Sequence, residues 1–289
     1  MKKHLKKFLS AFFALMLVGI SFFTVTADSY IVIDGFSFLG TSSGGCIIYS
    51  YDQHKTDVVI PNELAGNSVE EIADYAFLDN VNMTSINFSQ ARRLYKLGAS
   101  SFAKCTSLTE VVIPTRIQRI SQSTFQSCTS LSKVTIYGNL PEIPVQAFYN
   151  CSSLHNVVLP QSVKTIGNNA FGKCTSLTSI FIPTGVSNIS DSAFRNCPNL
   201  TIRGYYGSYA EKYAARMKIK FDGIATHKLG DVDLDGRVNI RDATAIQSHI
   251  ASIDVLYGES LALADYNGDG SVNIMDATAI QKMIAEIIW

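Results

Sequence analysis

A phenylalanine returns every 23 residues along the middle of this chain, as Phe102, Phe125, Phe148, Phe171 and Phe194, with Phe77 leading the series by 25. Five residues before each stands an aliphatic side chain (Ile72, Leu97, Ile120, Ile143, Ile166, Ile189), and eight before stands another (Val69, Leu94, Ile117, Leu140, Val163, Val186). Three residues after the last five phenylalanines come Cys105, Cys128, Cys151, Cys174 and Cys197, and three further on Leu108, Leu131, Leu154, Leu177 and Leu200. Most units close with a β-branched run ending in proline, such as Val111-Val112-Ile113-Pro114 and Ile180-Phe181-Ile182-Pro183. A unit this short cannot bury its own apolar face, so successive units must stack and share one elongated core. The register makes the Phe, Cys, Leu and Ile positions inward rungs and the Ser/Thr/Asn-rich stretches between them turns.

The unit running from Val163 and Ile166 through Ala170-Phe171, Cys174 and Leu177 to Ile182-Pro183 resembles the BspA-type leucine-rich repeat, V-x-x-I-x-x-x-A-F-x-x-C-x-S-L-x-x-I-x-I-P. The resemblance covers about residues 30–222. It implies a β-rich solenoid with an N-terminal capping hairpin over Gly44-Gly45-Cys46-Ile47-Ile48 and Val58-Val59-Ile60-Pro61. It also implies a C-terminal cap made of a helix over 209–214 and a strand over 219–221. The first full unit departs from the pattern, with Asn80 in place of Cys and two extra residues before the next unit.

Residues 1–27 read as an export signal. Lys2, Lys3, Lys6 and Lys7 precede an apolar run of 16 residues from Phe8 to Phe23, and Thr24-Val25-Thr26-Ala27 offers a cleavage site before Asp28. The run is shorter than the ~20 residues that span a bilayer, which favours cleavage over anchoring and leaves no membrane span. Six cysteines in an exported chain ordinarily suggest three disulfides. Five of these share one inward slot of successive units, which reads instead as small apolar rungs that stay reduced. Charge is balanced at 24 basic and 24 acidic side chains, which argues against a nucleic-acid partner. The balance hides an uneven division: residues 230–289 carry 3 basic against 10 acidic groups.

Those carboxylates have a pattern. Asp231, Asp233, Asp235, Asn239 and Asp242 fall at positions 1, 3, 5, 9 and 12 of a loop with Gly236 at position 6 and Arg237 at position 7. Thirty-four residues on, Asp265, Asn267, Asp269, Asn273 and Asp276 repeat it, with Gly270 at 6 and Ser271 at 7. Ca²⁺ takes six to eight oxygens, which alternate side chains of a tight loop and the carbonyl at position 7 supply, while Gly at 6 permits the turn. The copies share 14 of 21 residues from the first aspartate on, and each leads into an amphipathic helical stretch, 243–250 and 277–284. Unlike an ordinary EF-hand, position 12 is Asp and no helix of suitable length precedes either loop.

These departures resemble the type I dockerin. The resemblance implies a small all-α, paired F-hand domain over 230–289, joined to a solenoid over 28–222 by a short linker, 223–229. Two Ca²⁺ ions would be held, one by Asp231, Asp233, Asp235, the Arg237 carbonyl, Asn239 through water, and Asp242. The other would be held by Asp265, Asn267, Asp269, the Ser271 carbonyl, Asn273 and Asp276. The implied partner is a cohesin on a scaffoldin, in a secreted or cell-surface cellulosome. Partner choice would fall to Ile240, Arg241, Gln247 and Ser248 and to Ile274, Met275, Gln281 and Lys282, a set unlike the common clostridial one and nearer ruminococcal types. The internal symmetry could allow two orientations of binding. Core packing is the other reading of Ile240, Ile274 and Met275. Trp289 reads as a cover for the module's core or a clasp near Leu229.

Residues 28–229 contain three histidines, His54, His155 and His227, and no His-Glu-x-x-His sequence. Glu110, Glu142 and Asp191 stand at different repeat phases, with no reason to converge on one sugar. The solenoid's outward positions Glu110, Lys133, His155, Asn156 and Phe181 form a mixed face for a protein or glycan ligand. The reading is a non-catalytic interaction or adhesion subunit. A cellulosomal hydrolase with an unrecognised site, and a regulator or inhibitor of partner subunits, are the alternatives.

Overall fold

Each repeat makes two short strands separated by tight turns. The computed structural model describes residues 30–52 and 55–287; the export signal expected over 1–27, His54 and Trp289 lie outside them. The β-branched run forms the longer strand. Lys133–Ile136 pairs in parallel with Glu110–Ile113 on one side and Asn156–Val158 on the other, Val134 facing Val111 and Val157. The aliphatic residue five before each Phe ends the shorter strand, so that Ile166 faces Ile143 and Ile189, and Ile120 faces Leu97. Partners differ by one repeat length, and a 23-residue period therefore becomes a strict side-chain ladder.

The longer strands run in order from Asp57–Val59 through Ser85–Asn87, Glu110–Ile113 and Lys133–Ile136 to Asn156–Val158. A further parallel sheet follows, Ser179–Phe181, Thr201–Tyr205 and Lys220–Ile224. Between the two strand columns the phenylalanines stack. Rings from Phe77 to Phe194 lie 4.9–5.6 Å apart at interplanar angles of 15° or less. Strand spacing of about 4.8 Å sets this separation, and the offset stack is a favourable aromatic geometry. Every Phe, Leu and aliphatic rung named above is buried. So are the cysteines up to Cys174, whereas Cys197 is partly exposed because no further repeat stacks over it.

Two turn positions in each unit but the last, which has one, take left-handed backbone without glycine. Asp79, Lys104, Ser127, Asn150, Lys173 and Asn196 have φ of 59–61°, and Tyr75, Ser100, Ser123, Gln146 and Asn169 have φ of 51–62°. The C-terminal end is closed by a helix and a strand, but the N-terminal hairpin is not the one the resemblance implied. Residues 46–48 pair with the strand before them, whereas Val58 and Val59 lie in Asp57–Val59, which pairs in parallel with Ser85–Asn87 in the long-strand column. An antiparallel hairpin, Phe36–Gly40 with Gly45–Tyr51, places the Tyr51 ring 5.3 Å from Phe77. Helix α1 (Tyr209–Met217) places buried Tyr213 against Phe194 and donates its hydroxyl to the Ser190 carbonyl at 3.2 Å. The last strand runs to Ile224, past the boundary expected at 222.

The C-terminal module is helical: α2 (Ile240–Ile250), α3 (Gly258–Ala264) and α4 (Ile274–Ile287), with α2 packed on α4. Its small core is Val232, Ala243, Ile246, Ala264, Ala277 and Ile280. The absence of a helix before the first loop agrees with the sequence reading. Before the second loop the seven-residue α3 forms, because Glu259-Ser260-Leu261-Ala262-Leu263-Ala264 is rich in good helix formers. Among the described residues no helix is long and apolar enough to cross a membrane.

Candidate calcium-binding and docking site

The two acidic loops are closed by a carboxylate from the helix that follows. Asp242 is fully buried; its Oδ1 accepts from the Val232 and Asp233 N–H groups at 2.7 and 3.0 Å, and its Oδ2 from Asn239 N–H at 2.8 Å. Asp276 does the same in the second loop, accepting from Asn267 N–H at 3.1 Å and Asn273 N–H at 2.8 Å. Asn239 and Asn273 start the helices, their Oδ1 atoms accepting from Arg241 N–H and Met275 N–H at 2.9 and 2.8 Å. The position-9 residue is thus an N-cap as well as a ligand candidate.

Within the first loop, Asp231 Oδ2 accepts from Gly236 N–H, Asp233 Oδ1 from Asp235 N–H and Asp235 Oδ1 from Arg237 N–H, at 2.9–3.1 Å. One carboxylate oxygen from each of these three aspartates lies within 4.8 Å of the others. Asp231 is 1% exposed, and its buried Oδ1 has no hydrogen-bond partner. Burial, then the neighbouring Asp242, Asp235 and Asp231 charges, raise the Asp233 carboxyl above the usual range, only partly opposed by the Asp235 N–H. Three crowded carboxylates, an orphaned buried oxygen and an all-oxygen donor set fit a hard divalent cation.

The second loop follows the same plan. Asp265 accepts from Asp269 N–H and Gly270 N–H, and Asp269 from Ser271 N–H, at 2.9–3.1 Å. Asn267 donates its Nδ2 to Asp269 Oδ2 at 3.0 Å, so one carboxylate fewer is crowded here. Gly236 and Gly270 have φ of 89° and 86°, the conformation that position 6 requires. At position 4 Gly268 has φ 72°, and Leu234 adopts 62° in the other copy.

Residues 63–201 match the BspA type Leucine rich repeat region family in six copies, and residues 229–285 match the Dockerin type I domain family. The chain joins a BspA-type leucine-rich repeat region to a type I dockerin domain. Type I dockerin domains bind calcium, and the domain implies a cohesin partner in a cellulosome-type setting. A solved leucine rich cell surface protein from Faecalibacterium prausnitzii A2-165 is similar at 24% identity and a TM-score of 0.52, over 63% of this chain and 56% of that one. It shows the fold of the repeat region, and this chain spans little more than half its length. A T. pallidum leucine rich repeat protein is similar at 25% identity and a TM-score of 0.44, over 69% of this chain and 84% of that one. No curated protein matches the chain.

The dockerin's candidate partner residues are on the surface. Ile240, Ile274 and Met275 are 55%, 52% and 57% exposed, which removes core packing as their reason for being apolar. Arg241, Gln247, Gln281 and Lys282 are exposed and Ser248 is partly so. Sequence reasoning missed the connection between α2 and α3, where Ile253, Val255 and Tyr257 are all largely exposed. The signal was there, in an apolar run with no helical period.

On the solenoid, Glu110 pairs with Lys133 at 2.7 Å on the long-strand column, Glu142 lies on the short-strand column, and Asp191 pairs with Arg216 of the cap at 2.7 Å. The three carboxylates do not meet. Phe181 packs edge-on to Tyr205 at 5.9 Å, and His155 and Asn156 are exposed. Val112 and Val158, each facing Thr135 in the ladder, are 42% and 46% exposed. The thiol of Cys197, beside a surface depression with Lys218 and Lys220, is pushed up to about 11 by burial and is no nucleophile at neutral pH.

Proposed function

We propose that this chain is an exported, non-catalytic subunit whose dockerin binds a scaffoldin cohesin in a calcium-dependent way and displays the solenoid as a surface for a protein or glycan. The observation that carries the reading is the pairing of two like loops with exposed apolar residues at equivalent places, Ile240 with Arg241 and Ile274 with Met275. In each loop the carboxylate at position 12 draws N–H groups from the two ends of the loop, fixing the start of a recognition helix.

Two ions fit this reading. Asp231, Asp233, Asp235, the Arg237 carbonyl, Asn239 and Asp242 would hold one, and Asp265, Asn267, Asp269, the Ser271 carbonyl, Asn273 and Asp276 the other. Bound calcium supplies the positive charge that offsets carboxylate repulsion, and its binding is thereby coupled to folding. The chain's own residues do the rest: Asp242 and Asp276 orient α2 and α4, and the packed α2–α4 pair holds Ile240, Arg241, Gln247, Ser248, Ile274, Met275, Gln281 and Lys282 on the module's surface. Arg241 against Met275 and Ser248 against Lys282 make the two halves unlike, so the two orientations are unequal in affinity.

A panel of cohesins probed with the full chain, with and without a calcium chelator, tests the reading. Binding to a cohesin that chelator abolishes is the expected result. Undiminished binding in chelator, or binding unaffected by Ile240→Asp combined with Ile274→Asp, would sink it.

A further inference from the structure

The segment joining the two domains is held by one buried carboxylate. Glu259, in the first turn of α3, is 7% exposed. Its Oε1 accepts from the backbone N–H of Thr226, and from the backbone N–H of His227 at 2.9 Å. The Thr226 hydroxyl lies 3.0 and 3.2 Å from Oε1 and Oε2, and His227 Nδ1 lies 3.0 Å from Oε1. Two consecutive backbone donors and two side chains of the joining segment thus converge on a single side chain of the dockerin. Burial alone would raise this carboxyl; the His227 and Thr226 donors outweigh it and hold it below the usual range. Charge-assisted bonds of this kind are the strong class of hydrogen bond.

The surroundings are built for close approach. Helix α3 packs against the solenoid's last strand, Lys220–Ile224. At Gly258, φ is 59°, and a Cβ there would stand 3.1 Å from Glu211 Oε1 of the solenoid cap. Glu211 is itself fixed, its Oε2 accepting from Gly207 N–H at 2.7 Å. On the other side of the joining segment, Gly230 (φ 89°) donates its N–H to the Leu263 carbonyl at 3.0 Å, and a Cβ there would strike the Tyr266 ring at 2.7 Å. Gly230 immediately precedes Asp231, the first residue of the first acidic loop.

We propose that Glu259 is a latch that carries the dockerin at a fixed attitude on the solenoid's C-terminal cap, where a flexible tether would let it swing. The latch works by sequestering the donors of residues 226 and 227, which leaves the joining segment without the rotational freedom of a solvated linker. It touches none of the candidate cohesin contacts, so the dockerin stays open to a partner while the solenoid is held in one direction. Glu259 is a positioning residue, and this assignment stands whether or not a cohesin is the partner.

Distances between spin labels placed on the two domains of the calcium-loaded full chain test this. Exposed Gln161 and Asp254 serve as label sites after Gln161→Cys and Asp254→Cys, since the native thiols are buried or held protonated. The parent should give one narrow distance distribution. Glu259→Ala should lose that single peak, and Thr226→Pro, which deletes two latch donors (the backbone N–H and the hydroxyl) and lies outside both cores, should lose it too. Calcium uptake by calorimetry confirms that the dockerin of each variant is intact; if Glu259→Ala fails to take up calcium, Thr226→Pro decides. A parent distribution as broad as the variants', or a Thr226→Pro distribution as narrow as the parent's, would overturn the latch.

Discussion

The thiol of Cys128 donates to the carbonyl oxygen of Phe102, one unit back, at 3.1 Å. Cys105, Cys151, Cys174 and Cys197 make the same bond to Phe77, Phe125, Phe148 and Phe171 at 3.1–3.3 Å. The slot therefore asks for a small apolar side chain with one weak donor, which is what a thiol is. The bond accounts for the unpaired cysteines of the ladder: each sulfur already has a partner.

Alkaline pH should expose this arrangement. Burial pushes the Cys46 and Cys197 thiols up to about 11 and that of Cys151 up to about 12. An unfolded thiol ionises near ~8.5. The folded values are raised, so the stabilisation is complete below about pH 8.5 and drains away as pH rises towards the folded values, where only the unfolded chain has released its protons. Urea midpoints should fall steadily between about pH 9 and 11, and Cys151→Ala should flatten that slope. A thiol reagent at neutral pH should find no reactive group until the protein is denatured; rapid labelling of the native chain would contradict the argument.

Asn80 occupies the cysteine slot of the first unit and is fully buried, with neither Oδ1 nor Nδ2 partnered. An unsatisfied buried polar group costs about 1–3 kcal/mol. Asn80→Cys should accordingly raise stability by about 1–3 kcal/mol, read as a higher urea midpoint at unchanged slope. No gain would mean that the amide finds a partner in solution, such as an ordered water.

The inward rungs were legible because a 23-residue period and a parallel ladder are the same constraint seen twice: Lys133 faces Glu110 and Asn156 simply because each is one period away. The loops were legible because oxygen donors at alternate positions serve a hard cation and little else. Glu259 was not legible. It stands in an aperiodic stretch, and its meaning depends on Thr226 and His227 being folded back over it, which no local pattern encodes. The left-handed turn residues were hidden for a different reason. Lys104, Ser127 and Asn150 share a φ near 60° but not a residue type, because the ladder tolerates the strain that a glycine would have advertised.

That strain is open to measurement at Lys104, an exposed residue at φ 59°. Asn visits left-handed backbone more readily than Lys does, and Asn150 and Asn196 already fill the equivalent places. Lys104→Asn should stabilise the solenoid by about 0.5–1 kcal/mol, a fraction of the ~1–2 kcal/mol left-handed penalty. A change of the opposite sign would show that the lysine stem makes a compensating contact.

The calcium reading separates two kinds of aspartate, and substitutions should tell them apart. Asp231 has one oxygen bound to Gly236 N–H and one buried oxygen with no partner, so its free oxygen is the one a cation would use. Asp231→Asn preserves the size of the side chain but removes the charge, and should abolish binding at the first loop with little effect on helix α2. Asp265→Asn should do likewise at the second loop. Calorimetric titration of the full chain should then give two ions for the parent and one for each variant; one ion for the parent would refute the second site. Asp242 differs, because its two oxygens tie three backbone N–H groups at both ends of the loop. Asp242→Ala strands the buried Val232 N–H and frees the part-buried N–H groups of Asp233 and Asn239, and should cost at least the ~1–3 kcal/mol of one unsatisfied buried donor. The loss should appear even in saturating calcium, as reduced helix content by circular dichroism. For the parent, free calcium at about 100 times the dissociation constant should add ~2.7 kcal/mol per site to the dockerin's stability by mass action. An unfolding transition of this domain that ignores calcium altogether would end the assignment of both loops.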